Sequence, residues 1–347
     1  MSQKSRTRQV IAAMAATALP VTLAASAAPA RATGDDPDFP SQWGLAQAGI
    51  PDAWARTTGA GVRIGIVDTG VDIAHEDLAG KVVAHTSCLG AAADPARCGG
   101  SGEDDNGHGT YVAGIAAAVR GNGRGIAGVA PDAELVVAKV MTGTGVAAVA
   151  DVVAGMKWVV DHGARVVNLS FDDPAMTFGG VGRSAIREGI DYAWTRGAVP
   201  VLSAGTPGRL GLGLAPASDR DLNAVIVGAT GPDGRMSPSS PPTGDARLAV
   251  LAPGGSARTP GGAVLSTFWA PGRHDAYRAG VGTTAAAAHV SGAIALLLAE
   301  GYNGVGAVER LLSTSDGTVH CGEASPDCYG RIDVATATSG PVQPSSR

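Results

Sequence analysis

The sequence predicts a single α/β domain built on a doubly wound, mostly parallel sheet with helices on both faces. Short runs rich in β-branched and other apolar residues alternate along the chain with longer amphipathic or small-residue stretches. The short runs are apolar at consecutive positions, which is typical of parallel strands covered on both faces. Their alternation with helical stretches favours crossover connections and hence a parallel sheet.

Six strands and three long helices are predicted, besides a small-residue helical stretch that starts near residue 108. The strands are residues 62–67, 135–140, 165–170, 198–203, 224–227 and 248–251. The helices are residues 146–161, 182–196 and 284–300. In such sheets functional side chains collect at the carboxyl ends of the strands, so we expect the site there.

The two ends of the chain predict segments outside this domain. A basic start, an apolar stretch at residues 10–28 and a small-residue motif at 30–32 are typical of a secretory signal peptide, with 25–27 as a competing cleavage motif. The short apolar stretch favours a cleaved signal over an anchor helix. We therefore expect a signal peptide at 1–32, one folded domain at 33–334 and a disordered tail rich in Ser, Thr and Pro at 335–347.

Composition and charge indicate a secreted, extracellular monomer that does not bind nucleic acid. Hydrophobic residues make up 45% of the chain, which excludes a disordered protein. Removing residues 1–32 removes four basic and no acidic residues, so the formal net charge changes from −5 to −9. An acidic protein is a poor partner for nucleic acids and anionic membranes.

The four cysteines predict two local disulfides. They allow three pairings, and proximity in the sequence favours Cys88 with Cys98 and Cys321 with Cys328. Neither pair has the Cys-x-x-Cys spacing of a zinc site. Disulfides also fit an oxidising compartment outside the cytosol.

One predicted strand ends on a carboxylate, in the triplet Asp68-Thr69-Gly70. The same triplet occurs in aspartic proteases, whose chemistry requires two carboxylates that share a proton. The nearest second candidate, Asp316, has no apolar strand before it. We therefore disfavour that class of enzyme.

A histidine flanked by glycines, His108, lies at the start of a small-residue stretch predicted to be helical. A general base needs one ring nitrogen facing a nucleophile and the other held by a carboxylate. The flanking glycines leave room for the ring in a cleft. His289, one turn into the predicted helix 284–300, is interpreted as a structural histidine.

Residues 282–290 resemble the serine motif of the subtilases, the subtilisin-like serine peptidases, with Thr284 in the position of the nucleophilic serine. Residues 203–206 resemble the oxyanion segment of that family, with Thr206 in the position of an asparagine. Other matching segments, found in the order typical of the family, are 42–45, 64–70, 75–78, 106–114, 128–131, 166–170 and 252–254. The resemblance covers residues 36–334 and implies a subtilisin-like fold.

The resemblance also implies roles for individual residues. It implies that Asp68 orients His108 and that His108 acts as the base. It implies that Ser170 and Phe171 border the groove that binds an extended polypeptide. Asp172 stands where the family has glycine, and a charge there would disfavour an apolar substrate group or crowd the peptide.

Three departures from the family pattern lead to two functional hypotheses. Thr284 carries an extra methyl group, and Thr206 offers a rotating hydroxyl where asparagine offers a fixed donor. With Asp172, these changes favour a catalytically impaired pseudoprotease that binds extended peptide or protein segments. The alternative is an endopeptidase in which Asp68 and His108 activate Thr284 as the nucleophile.

The sequence predicts no cofactor, and a polypeptide substrate or ligand as the partner. Residues 121–125 lack the spacing of a nucleotide-binding loop. The acidic run Glu103–Asp105 fits either a structural calcium site or a solvated loop. The expected mature chain has almost no propeptide, which suits an inert protein. It also suits the mycosin branch of the family, associated with type VII secretion, although the C-terminal membrane anchor expected there is missing.

Overall fold

The computed structural model describes residues 36–170, 180–205, 220–321 and 328–340. Strands are numbered along the chain: β1 (Arg63–Asp68), β2 (Val82–Ser87), β3 (Glu134–Lys139), β4 (Val166–Leu169), β5 (Val199–Ser203), β6 (Val225–Thr230), β7 (Ala249–Pro253), β8 (Val264–Ala270), β9 (Arg273–Gly280) and β10 (Cys328–Arg331). Helices are numbered in the same way: α1 (Trp43–Gln47), α2 (Ile50–Ala53), α3 (His108–Ala117), α4 (Val149–Asp161), α5 (Gly180–Thr195), α6 (Thr283–Ala299), α7 (Gly304–Ser313) and α8 (Val334–Ser339).

Eight strands form one sheet in the order β10-β7-β6-β5-β4-β1-β3-β2, and every pair in it is parallel. The strand order reverses around β1, since β2 and β3 lie on one side of it and β4 to β7 on the other. Ligands of open α/β sheets bind at such a reversal, outside the carboxyl ends of the strands. Strands β8 and β9 form a separate antiparallel hairpin.

Two apolar cores cover the two faces of the sheet, as the fold-class prediction requires. One core contains residues of α3, α6 and α7, and the other contains residues of α4 and α5. Helix α6 is buried from Thr283 to Leu298. A helix that is apolar on all sides belongs in the interior, and the alanines and glycine of α6 let neighbouring elements approach it closely.

The six predicted strands correspond to β1, β3, β4, β5, β6 and β7, and the three predicted helices correspond to α4, α5 and α6. The sequence did not predict β2, β10 or the β8–β9 hairpin. The tail predicted to be disordered from residue 335 instead begins within α8, which buries Val334 and Ala337. The remainder of the tail and the predicted signal peptide lie outside the described residues.

Both predicted disulfides are present, Cys88–Cys98 and Cys321–Cys328. The first closes the loop that follows β2, and the second ties the start of β10 to the segment before it. Within the described ranges, no single helix has both the length and the apolarity of a membrane span, although α6 and α7, which are bent by 117° relative to each other, satisfy that criterion as a pair.

Candidate active site

Asp68 is the last residue of β1 and is fully buried. Its Oδ1 accepts hydrogen bonds from the Thr69 N–H at 2.7 Å and from His108 Nδ1 at 2.8 Å. Because an ionised carboxylate can only accept, His108 carries its proton on Nδ1 and leaves Nε2 as an acceptor. Oδ2 of Asp68 is buried and has no hydrogen-bond partner in the described part of the chain.

His108 is the first residue of α3, and the helix N-terminus fixes its position. Gly107 has a φ of 104°, which favours glycine, and a Cβ there would lie 2.4 Å from the ring of Phe268. Asp104 caps the helix by accepting the N–H groups of Gly107 and Thr110, each at 3.0 Å. The side chain of His108 is 33% exposed, so a substrate can reach the ring.

Thr284 lies in the first turn of α6 and is 6% exposed. The preceding residue, Thr283, donates its hydroxyl to the carbonyl of Gly205 at 2.8 Å and accepts the N–H of Gly205 at 3.1 Å. These bonds connect the start of α6 to the segment that follows β5, directly before the predicted oxyanion position.

The end of β4 is connected to the same helix. Ser170 Oγ donates to Asn168 Oδ1 at 2.7 Å and approaches the carbonyl oxygen of Thr284 at 3.4 Å. Asn168 Nδ2 donates to Ser291 Oγ, on the next turns of α6, at 2.9 Å. The predicted groove residue Ser170 therefore lies beside the predicted nucleophile.

The structure thus joins Asp68 to His108 and Ser170 to Thr284, and α3 packs against α6. Three other predicted site residues, Phe171, Asp172 and Thr206, lie outside the described residues. Their roles stay predictions.

Residues 59–315 match the sequence profile of the Subtilase family. This chain belongs to the subtilase family. It is 35% identical to thermitase from Thermoactinomyces vulgaris, over 82% of this chain and 92% of thermitase. It is also 35% identical to subtilisin DY from Bacillus licheniformis, over 70% of this chain and 78% of that protein. Among solved structures, a protease from Pseudoalteromonas arctica superposes with a TM-score of 0.73 at 25% identity, over 89% of this chain and 99% of that one.

His289 of this subtilase is a buried structural residue, which agrees with its interpretation from the sequence. Its Nδ1 donates to the carbonyl of Ala285 at 2.8 Å, one turn earlier in α6. Burial lowers the pKa of the His289 imidazole to about 4, against opposing hydrogen bonds to the backbone of Ala285 and Pro253. The ring is therefore neutral at physiological pH.

The acidic run of this subtilase has one buried member, Asp104, between the exposed residues Glu103 and Asp105. Asp104 is buried and its two carboxylate oxygens accept donors from the start of α3, while Asp105 pairs with Lys139 at 2.5 Å. Across the described ranges, no group of three or more His, Cys, Asp or Glu side chains is arranged to hold a metal ion. The hydrogen bonds of Asp104 and Asp105 account for both residues, and calcium binding stays a prediction.

Sequence reasoning missed the residues that support the Asp68–His108 pair, namely Thr69, Asp104 and Lys139. Each is buried and polar. Thr69 and Asp104 lie beside the aspartate and histidine motifs, but polar residues in glycine-rich loops resemble solvated positions. Their burial became visible only once β1, β3 and α3 were brought together.

Proposed function

We propose that this subtilase is a slow endopeptidase in which His108, oriented by Asp68, activates Thr284 for attack on a peptide bond. The observation that carries the proposal is the 2.8 Å hydrogen bond between His108 Nδ1 and Asp68 Oδ1. Such a carboxylate fixes the tautomer of the base and stabilises the imidazolium that forms when the ring takes a proton. The solved relative described as a protease supports hydrolysis of peptide bonds as the reaction class.

The proposed reaction assigns each proton to an atom of this chain. Thr284 Oγ1 attacks the carbonyl carbon while His108 Nε2 takes the hydroxyl proton. His108 then gives that proton to the leaving amine, and an acyl group remains on Thr284 as an ester. Water, deprotonated by the same ring nitrogen, attacks the ester carbon. The ring then returns this proton to Thr284 Oγ1, and the acyl group leaves as a carboxylic acid. The N-terminus of α6 carries partial positive charge and favours the negative charge that develops at this turn.

Turnover is expected to be slow because two groups differ from the serine enzymes. In subtilisin, losing one oxyanion donor costs roughly 10²–10³ in kcat. Threonine at position 206 places a shorter, rotating donor in that role. The methyl group of Thr284 restricts its χ1 angle, and a displacement of about 1 Å from the attack geometry can cost roughly 100-fold.

A second candidate function is peptide binding without cleavage, the hypothesis that the sequence favours. The observation in its favour is the burial of Thr284, which is only 6% exposed. The helix turn that contains it is hydrogen-bonded to Gly205 and Ser170. A methyl group in so confined a place has little freedom to move away from the incoming carbonyl. In this case the groove serves an extended polypeptide as a binding surface.

Cleavage of casein and of a peptide library by the purified protein separates the two functions. We expect slow cleavage by the wild type and none by Thr284→Ala. Thr284→Ser is expected to gain roughly 100-fold in kcat, because the methyl group is removed while the base is unchanged. His108→Ala, which should be as inactive as Thr284→Ala, controls for contaminating proteases.

Wild-type activity equal to that of Thr284→Ala would overturn the endopeptidase proposal. Calorimetry with the same peptides then tests binding, and the absence of heat with every peptide would remove the second candidate. If Thr284→Ser is inactive as well, a second change prevents catalysis, and the segments that contain Thr206 and Asp172 are the candidates.

We further propose that the protein is secreted as a monomer. The two disulfides support secretion, since such bonds persist in oxidising compartments. Gel filtration and mass spectrometry of the culture medium of the source cells test both points, because a cleaved signal would leave a chain that starts near residue 33. Equilibrium dialysis with calcium decides between the calcium site and the solvated loop at Glu103–Asp105.

A further inference from the structure

Thr69 contacts Asp68 and Gly109, the residue that follows His108 in α3. It is fully buried at the end of β1. Its N–H donates to Asp68 Oδ1, the same oxygen that accepts from His108 Nδ1. Its hydroxyl oxygen accepts the N–H of Gly109, the residue after His108, at 2.9 Å. The N–H of Thr69 therefore binds the Asp68 carboxylate, and its hydroxyl binds the helix that carries His108.

The carboxylate of Asp68 depends on this contact for its orientation. Oδ1 accepts two hydrogen bonds, from Thr69 and His108, while Oδ2 has no partner among the described residues. If the Thr69 peptide rotates, the bond to His108 alone holds the carboxylate. The orientation of the His108 ring, which depends on its hydrogen bond to this carboxylate, would then no longer be fixed.

The Thr69 hydroxyl is itself fixed by Asp104. Thr69 Oγ1 donates to Asp104 Oδ1 at 2.8 Å, and that carboxylate also accepts the N–H groups of Asn106, Gly107 and Thr110. Because Asp104 caps α3, the hydroxyl connects the end of β1 to the cap of the helix that carries the base.

The carbonyl group of Thr69 is held by a lysine on the neighbouring strand β3. Lys139 Nζ donates to it at 2.6 Å and also pairs with Asp105. Lys139 lies beside Asp68 in the register of β3 and β1. Thr69 is thus held at its backbone N–H, at its backbone carbonyl and at its hydroxyl.

We propose that Thr69 is the positioning residue of this site and that its hydroxyl holds the Asp68 carboxylate and the His108 imidazole in register. Thr69 does not touch the substrate and acts only through Asp68 and α3. As far as turnover is concerned, the inference rests on the proposed endopeptidase function. The geometry of the Asp68–His108 pair can be measured without turnover.

The test compares Thr69→Val with Thr69→Ser in the full chain. Valine keeps the β-branched shape and lacks the hydroxyl, while serine keeps the hydroxyl and lacks the methyl group. We expect Thr69→Val to lower kcat roughly 100-fold with KM unchanged, as expected for a misplacement of about 1 Å. Thr69→Ser should remain within a few-fold of the wild type.

Proton NMR of the His108 ring gives a readout that does not require catalysis. The Nδ1–H proton, held by Asp68, should be observable in the wild type and in Thr69→Ser and lost to solvent exchange in Thr69→Val. An inactive wild type that shows this NMR pattern would overturn the endopeptidase function and support the role of Thr69. Wild-type kcat and an unchanged Nδ1–H signal in Thr69→Val would overturn the role of Thr69.

Thermal melting accompanies each measurement, so that a general loss of fold is recognised. Where Thr69→Val melts below the assay temperature, Thr69→Ala replaces it, since alanine places no apolar group against Asp104. Loss of the signal in folded Thr69→Ala, with its retention in Thr69→Ser, supports the proposal. Its retention in both contradicts the proposal.

Discussion

Thr284, the predicted nucleophile, carries one methyl group more than the serine it is predicted to replace, at a position with little space. It begins a helix in which every residue from Thr283 to Leu298 is buried. The neighbouring contacts of Gly205 and Ser170 hold the backbone of this turn. A shift of the helix that made room for the methyl group would break these contacts. The methyl group therefore restricts the χ1 rotamers that the Thr284 hydroxyl can adopt.

His289 makes the stability of the protein depend on pH. Its pKa is lowered from 6.5 to about 4 by burial, so between these values the unfolded chain binds a proton that the folded chain does not. The contribution of neutral His289 to the unfolding free energy is therefore fully present above pH 6.5, and it is lost as the pH falls towards 4. We expect this group to remove about 3 kcal/mol of unfolding free energy between pH 7 and pH 4.

Urea unfolding of the wild type and of His289→Asn at several pH values measures this effect. Asparagine retains a donor for the Ala285 carbonyl and does not titrate in this range. The unfolding free energy of the wild type should fall more steeply with decreasing pH than that of the variant. Parallel curves would show that His289 is protonated without cost in the folded state.

At the scale of a single element, the N-terminus of α3 is constrained by contacts from Asp104 and Phe268. Gly107 is the N-cap residue, its positive φ directs the chain into the helix, and Asp104 accepts the N–H groups of Gly107 and Thr110. The ring of Phe268, on the β8–β9 hairpin, lies against Gly107. The hairpin that sequence reasoning missed therefore packs against the turn that carries His108, the predicted base.

Gly107→Ala tests this packing. We expect it to lower the unfolding free energy by about 2–4 kcal/mol, from the cost of a left-handed residue together with overpacking against the Phe268 ring. Gly61→Ala is the matched control: its φ is 78° and nothing lies within 4 Å of the added Cβ, so about 1 kcal/mol is expected. Equal losses in urea unfolding would mean that the Phe268 contact does not constrain the turn.

The elements that the sequence predicted and those it missed differ in their burial. Strands such as β5 and β6 are buried at every position, so their apolar runs are continuous. Strand β2 lies at the sheet edge with Val83 44% exposed, and its mixed pattern resembles a loop. Within the site, motifs identified Asp68 and His108, whereas the role of Thr69 depends on contacts between β1, β3 and α3 that no local pattern encodes.

At the scale of the whole molecule, the two disulfides lie at the periphery of the sheet. Cys88–Cys98 joins residues ten positions apart after the edge strand β2, and Cys321–Cys328 brings in the opposite edge strand, β10. The two bridges therefore restrain opposite margins of a sheet whose centre is held by apolar packing.

Removal of the Cys88–Cys98 bridge by a double alanine substitution should lower the unfolding free energy by about 3 kcal/mol, the value expected for a loop of this length. Reduction of the wild type with dithiothreitol should lower the melting temperature in the same direction. An unchanged melting temperature after full reduction, with four free thiols titrated, would show that neither bridge contributes.

The burial of α6 also determines how the site responds to heat. Amide protons along a fully enclosed helix exchange with solvent only when the surrounding domain opens. The amides of α6, the helix of the predicted nucleophile, are thus expected to exchange among the slowest in the protein, at the rate of global unfolding. The site cannot melt locally at this helix, so peptide binding and any cleavage should disappear in the same cooperative transition that unfolds the sheet.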